Sequence, residues 1–323
     1  MFRRGGGETV GLGLLLALVI LVFGLTTPRF LTFGTFQSVA FQLPELGLLT
    51  LAMLIPILSG GLNLAVTFTA NMAALVMAWI LQSMGGPDAG VGAFVLGIAA
   101  ALATGTFAGW VTGLIVAHVG AHPILVSLSM MIFLRGLGEF LTRGGDVSGF
   151  PEFVASVGHG TVGGIPVPLI VFALCVAAWQ LILTRTRLGF ATHMLGSNIE
   201  ATRYSGIDTR RALTLVYTLS GLMAGIAGVI MLARFNSVRV GHGEAYLLIT
   251  VLACFLGGVD PFGGFGRTLA VVLALVILQL IASGLNLLGA NQHLAAGLWG
   301  FFLLAVMVAR WAWTRFGRAR LRE

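Results

Sequence analysis

VPLIVFALCVAAWQLIL, residues 167–183, runs directly into Thr184-Arg185-Thr186-Arg187. The run carries no charged side chain, and at about 1.5 Å per residue a helix of this length approaches the roughly 30 Å of a bilayer's hydrocarbon. Arg at the end of such a run marks the cytoplasmic boundary of a membrane span. Nine further apolar stretches repeat the pattern: Val10–Thr26, Val39–Leu58, Leu62–Leu81, Val91–Val116, Ile124–Phe140, Ala212–Leu232, Ala245–Leu256, Thr268–Leu288 and Leu294–Trp311. With a cytoplasmic N-terminus, six crossings bring the chain back to the cytoplasm at Arg185, and four more bring it back for a tail that starts at Arg310. The expected fold is all-α: a polytopic bundle of about ten spanning helices, forming a single transmembrane domain over residues 1–323 with both termini cytoplasmic.

Composition supports this reading. Apolar residues make up 58% of the chain, charged residues 9%, and the mean hydropathy is +1.01, outside the range of a soluble domain of this length. All 18 basic residues are Arg. A chain without Lys has no P-loop Lys to place on nucleotide phosphates and no amine for a Schiff base. The net charge of +7 does not point to nucleic acid, because the Arg cluster at Arg3–Arg4, across 185–211 and beyond Arg310, as cytoplasmic segments do. Cys175 and Cys254 each lie in apolar runs and read as small packing residues.

Several local features are less regular. Ala245–Leu256 is too short to cross alone and is expected to borrow part of the polar stretch before it. Ser59-Gly60-Gly61 is either a cytoplasmic turn or a break inside the bilayer, and the sequence leaves both open. The first span lacks an Ala-x-Ala cleavage site at its far end and is expected to stay attached. Trp311 and Trp313 read as interfacial anchors. Gly105, Gly109 and Gly113 recur every fourth residue, as do Gly221 and Gly225, a spacing that lets helix backbones approach closely in lipid.

The loop at 185–211 holds Gly196-Ser197-Asn198-Ile199-Glu200-Ala201-Thr202-Arg203-Tyr204-Ser205-Gly206-Ile207. Ser197 with Glu200 suggests a capping box, Ala201 favours helix, and Gly206 offers a left-handed stop. A helix this short gains little from its own hydrogen bonds. It therefore reads as a docking element; the plainer alternative is a loop held to the membrane surface by its Arg.

Here the sequence resembles the ribose-type permeases of bacterial ABC importers, within the wider branched-chain amino acid/ribose permease superfamily. Gly196, Asn198, Ala201, Arg203, Ser205, Gly206 and Ile207 are similar to that family's Gly-x-Asn-x-x-Ala-x-Arg-x-Ser-Gly-Ile signature. The likeness extends through Ser59–Leu64, Leu134-Arg135-Gly136, Leu256-Gly257-Gly258 and Ser283–Gly289, nearly the whole chain. It implies a non-catalytic permease of the bacterial inner membrane that carries a monosaccharide or similar polyhydroxylated solute. The partners it implies are cytoplasmic ATP-binding subunits, a second permease (an identical copy or a homologue) and a periplasmic or lipid-anchored sugar-binding protein. It also implies that Gly196, Asn198, Glu200, Ala201, Arg203, Tyr204, Ser205, Gly206 and Ile207 form the ATPase-coupling element. One departure stands out: family members often carry Asp where this chain has Asn63, followed by Ser and Gly where this chain has Ala65 and Thr67.

Polar side chains inside the apolar runs are the candidates for a solute path. They include Asn63, Thr67, Thr69 and Asn71, the pair Arg135 and Glu139, and Asn286. Asn63, Asn71 and Asn286 offer donors and acceptors without charge, as a neutral polyol requires. Arg135 and Glu139 are four residues apart and are expected to form a salt bridge, with Glu139 lining the exit for a hydroxylated solute as the alternative. Asp88, Asp146, Asp208 and Asp260 fall in loops, which argues against a proton relay. An intramembrane enzyme is disfavoured by the lack of His-Glu-x-x-His and Gly-x-Ser-x-Gly motifs, and no metal or other cofactor is expected. A furanone autoinducer, a nucleoside or a branched-chain amino acid remain alternative solutes, and a stand-alone channel or secondary carrier remains the alternative class.

Overall fold

The computed structural model describes residues 5–290 and 297–308. Arg3, Arg4, Leu294 and the tail with Arg310, Trp311 and Trp313 lie outside the described residues. Among the described residues ten apolar helices stand at the places of the ten expected spans, seven of them long and apolar enough to cross a membrane. The long ones after α1 (Gly5–Thr26) are α2 (Phe33–Leu58), α3 (Val66–Ser83), α4 (Val91–Leu114), α5 (Pro123–Thr142), α7 (Val167–Arg185), α10 (Thr209–Phe235) and α12 (Thr268–Leu287). Two shorter ones are α11 (Tyr246–Leu256) and α13 (Gly297–Val308). Three small helices join them: α6 (Glu152–His159), α8 (Arg187–Ser197) and α9 (Ile199–Tyr204).

Two sequence expectations need correcting. The third span begins at Val66, because Leu62–Ala65 form a turn in which Asn63 Oδ1 accepts from Ala65 N at 3.2 Å. The stretch before α11 does not lengthen it: Gly241 and Gly243 have φ of +94° and +75°, and the residues between β4 (Ser237–Val238) and Tyr246 form turns. α11 therefore spans only part of the bundle.

α10 is the central strut, packed by α2, α3, α4 and α6. Its seam with α4 explains the glycine spacing. A Cβ on Gly109 would stand 2.9 Å from Gly221 Cα, one on Gly105 2.9 Å from Gly225 Cα, and one on Gly113 2.9 Å from Thr214 Cα. The two backbones touch, so dispersion contacts hold this pair where lipid offers no hydrophobic drive. α2 is buried along almost its whole second half, whereas α5 and α7 turn most of their surface outward. Cys254 is fully buried and Cys175 partly so, as packing residues.

The bundle has two distinct ends. One gathers the Ser59–Gly61 turn, the Gly120–Pro123 turn, α8, α9 and the 257–267 loop. At the other, β1 (Val147–Ser148) pairs antiparallel with β4, and Gln82 Nε2 donates to Ser148 O at 2.7 Å. A small hairpin of β2 (Thr161–Val162) and β3 (Ile165–Pro166) follows α6. The stretch from Leu141 to Pro166 is thus folded and packed: a Cβ on Gly158 of α6 would meet Arg234 N at 2.6 Å.

Candidate coupling surface and solute path

α8 ends and α9 begins at Asn198, whose backbone is extended (φ −166°, ψ 111°) and whose Oδ1 accepts from Ala201 N at 2.9 Å. The helix is therefore capped by Asn198, and the Ser197–Glu200 capping box is not formed. Ser197 Oγ instead donates back to His193 O at 3.0 Å. An Asn accepts the first free N–H as well as Ser does, and it sits one position later. Gly206 has φ +80°, the left-handed stop expected of it, and Gly206 N donates to Arg203 O. Ile207 packs beside Ala191, Leu195 and Ala212.

The rest of α9 points outward. Glu200, Ala201, Arg203 and Ser205 are exposed, Thr202 is buried, and Tyr204 is 89% exposed. Phe262, at the same end, is 85% exposed.

Three backbone segments meet behind this surface. Gly264 N donates to Leu58 O at 2.9 Å. Gly196 lies against Leu58, Gly263 and Gly264, so that a Cβ there would be 2.8 Å from Gly263 C. Gly263, at φ +90°, lies against Gly60 and Gly196 in turn, and His193 Nδ1 is 3.1 Å from Gly264 O. Only glycine allows three chains this close. Ser59–Gly61 therefore belongs to the end of the bundle that carries α8 and α9. A cavity of about 470 Å³ beside it is lined by Gly61, His122, Pro123, Asn198, Tyr217 and Phe262, among others.

The four path candidates do not share one site. Asn63 lies in the turn before α3, and its Nδ2 donates to Ser220 Oγ at 2.9 Å. Asn71 is buried in α3, with its Nδ2 unpaired. Asn286 is exposed in the last turn of α12. Glu139 sits at the opposite end, where Arg135 Nε bonds Glu139 Oε1 at 3.0 Å and Arg135 Nη1 bonds Glu244 Oε1 at 3.1 Å. The expected pair is thus a triad, about half exposed, and it borders a cavity of about 680 Å³ shared with Arg239 and His242. Burial holds the His242 imidazole below its ordinary pKa, against the opposing pull of Asp146.

One buried ionic group went unread in the sequence. Glu45, 1% exposed in α2, pairs through Oε1 with Arg234 Nε of α10 at 3.0 Å. Arg234 Nη1 donates to Phe41 O at 2.6 Å, and Tyr246 Oη donates to Glu45 Oε2 at 3.4 Å. Pro44 lacks the N–H that would bond Ala40 O, which loosens the same turn of α2. The placing of acids in loops thus holds for the four Asp and omits Glu45. An acid within an apolar run is itself the signal that could have found it.

Residues 35–310 match the model of a family described as the branched-chain amino acid transport system / permease component. Among curated relatives, the autoinducer 2 import system permease protein LsrD of Yersinia enterocolitica serotype O:8 / biotype 1B is 28% identical over 316 residues, covering 96% of this chain and 93% of the relative. The protein of that name in Yersinia pseudotuberculosis serotype O:3 (strain YPIII) is 28% identical, with 96% and 92% covered. The one in Yersinia pestis (strain Pestoides F) is 27% identical, with the same coverage. No solved structure matches the chain.

Proposed function

The chain belongs to the branched-chain amino acid transport system / permease component family, and we infer from this and from its exposed α9 that it is the membrane subunit of an ATP-driven importer for a neutral, polyhydroxylated solute. It is a multi-pass permease of the sugar-type ABC importers. The finer reading concerns the solute, the partners and the coupling residues.

The observation that carries it is α9. A six-residue helix with its own Asn cap presents Tyr204 almost wholly to solvent, and a helix of that length holds its shape only when packed from outside. It packs on α8, and α8 joins α2 and the 257–267 loop through the Gly60, Gly196 and Gly263 contacts. A subunit that grips Glu200, Arg203 and Tyr204 can therefore pull on the spans. The Arg-rich loop makes this the cytoplasmic end, where ATP-binding subunits dock. ATP closes them, the coupling elements of two permeases approach, and the opposite end opens. There the 680 Å³ cavity at Arg135, Glu139 and Glu244 receives solute from a periplasmic or lipid-anchored binding protein. The chain itself performs no catalysis in this reading. Relatives named for autoinducer 2 import make that furanone a candidate solute beside monosaccharides.

The test uses Tyr204→Ala and Glu200→Ala in the complex with its ATPase and binding protein, assayed with D-ribose and autoinducer 2. ATP-driven uptake should fall at least tenfold while the complex still hydrolyses ATP. Wild-type uptake in both variants, or solute flux through the permease alone in vesicles, refutes the coupling role.

A further inference from the structure

Thr67 and Asn71 stand one turn apart on α3, 1% and 3% exposed, and neither Thr67 Oγ1 nor Asn71 Nδ2 has a hydrogen-bond partner. Thr50, Thr112, Thr192 and Thr202 return the hydroxyl to the carbonyl four residues back. Thr67, in the first turn of α3, has only the turn residue Asn63 at that distance and makes no such bond. Leaving a hydroxyl or amide unsatisfied in a protein interior is costly, and such groups commonly mark a site for something the chain itself does not supply.

Their direction follows from neighbours on the same helix. Ala70 and Ala74 face α10, where a Cβ on Gly228 would be 3.1 Å from Ala70 C and 3.2 Å from Ala74 N. Phe68 and Leu75 face α5, with Arg135 5.7 Å above the Phe68 ring and a Cβ on Gly138 3.4 Å from Leu75 Cδ1. At about 100° of rotation per residue, Thr67 and Asn71 fall in the arc between these two faces. They point into the space between α5 and α10. Pro123 of α5 and Tyr217 of α10 border the cavity at one end of that space, and Arg135 and Glu139 of α5 border the cavity at the other.

We propose that Thr67 and Asn71 form a solute-binding rung midway between the two cavities, closed over in this conformation, that takes the hydroxyl groups of a neutral solute. The proposal rests on the importer reading and deepens it by naming the side chains that meet the solute's hydroxyls. Asn71 Nδ2 donates to a hydroxyl oxygen, and Thr67 Oγ1 donates or accepts. α3 carries no charged residue, Arg135 and Glu139 lie in the last two turns of α5, and Arg234 is tied to Glu45. A zwitterionic amino acid at the rung would leave both its charges uncompensated, a heavy desolvation cost. A polyol meets no such cost.

The experiment pairs uptake with stability for Thr67→Val and Asn71→Leu. Uptake of D-ribose and autoinducer 2 is measured in the complete complex, with leucine as the charged comparison, and thermal unfolding is measured on the purified permease in detergent. Deleting an unsatisfied polar atom should leave the unfolding temperature unchanged or raise it, while uptake of the transported polyol falls at least fivefold. Thr67→Ser, which keeps the hydroxyl, should restore it. Uptake within twofold of wild type, a lower unfolding temperature with no rescue by Ser, or leucine as the transported solute overturns the rung. A wild-type complex that imports none of the three with ATP overturns the importer reading itself, a separate failure.

Discussion

Replacing Arg234 with Ala should destabilise the permease more than any other single change to a polar side chain. Glu45 is 1% exposed and its partner 16%, and the ion pair stands 3.0 Å apart, so truncation strands a carboxylate in the interior of the bundle. Breaking a buried pair from one side costs about 3–5 kcal/mol. The 2.6 Å bond from Arg234 Nη1 to Phe41 O is lost as well, which places the expected value at the upper end of that range. The double variant Glu45→Gln/Arg234→Met keeps the volumes and leaves no charge behind. It should recover most of the loss, because neutral replacement of a buried ion pair is often nearly free. Unfolding of the purified permease in detergent micelles, titrated with SDS, gives the four free energies of the cycle formed by wild type, Glu45→Gln, Arg234→Met and the double variant, with Arg234→Ala measured beside them. Two results refute the reasoning: Arg234→Ala costing under about 1 kcal/mol, a value typical of an exposed pair, or a double variant as unstable as the sum of the singles.

Two further changes test the close backbone contacts. Gly109→Leu puts a side chain where even a Cβ would stand 2.9 Å from Gly221 Cα; α4 and α10 should separate, and the folded yield in membranes should fall severalfold, whereas Gly11→Leu, which has nothing within 4 Å, should express as wild type. Gly196→Ala forces α8 away from Leu58 and Gly263, and ATP-driven uptake in the complex should drop at least tenfold with the permease still folded, as circular dichroism would show.

Much of the architecture was legible because lipid imposes one strong rule, a long apolar run for each crossing, and the ten runs correspond to ten helices. The glycine spacing of α4 and α10 was legible for the same reason, since each series is local to one helix. What the sequence hid was pairing at a distance. Glu45 barely dents the hydropathy of a 26-residue helix, and its partner lies just past the end of another apolar run, so nothing local joins them. The exchange of Ser197 for Asn198 as cap turns on one residue of backbone angle, finer than side-chain type can resolve. The position of Ser59–Gly61 was fixed by contacts with Gly196 and Gly263, which no pattern within the turn encodes. Asn63, Asn71 and Asn286 shared a chemistry in the sequence, and Glu139 was the alternative exit-lining residue, but the four share no place in the bundle.

The union of Glu45 with Arg234 also sets a clock on biogenesis. α2 leaves the ribosome roughly 190 residues ahead of its counter-ion, an interval on the order of 10–40 s at about 5–20 residues per second. During that wait the helix that will become the innermost has neither its neighbours nor its cation, and a bare carboxylate in hydrocarbon is among the least tolerable of groups. The nascent permease must therefore shelter α2, by protonation, by lingering beside the insertion machinery, or by both. The wait ends when α10 brings Arg234, and Tyr246 of α11 follows to complete the latch.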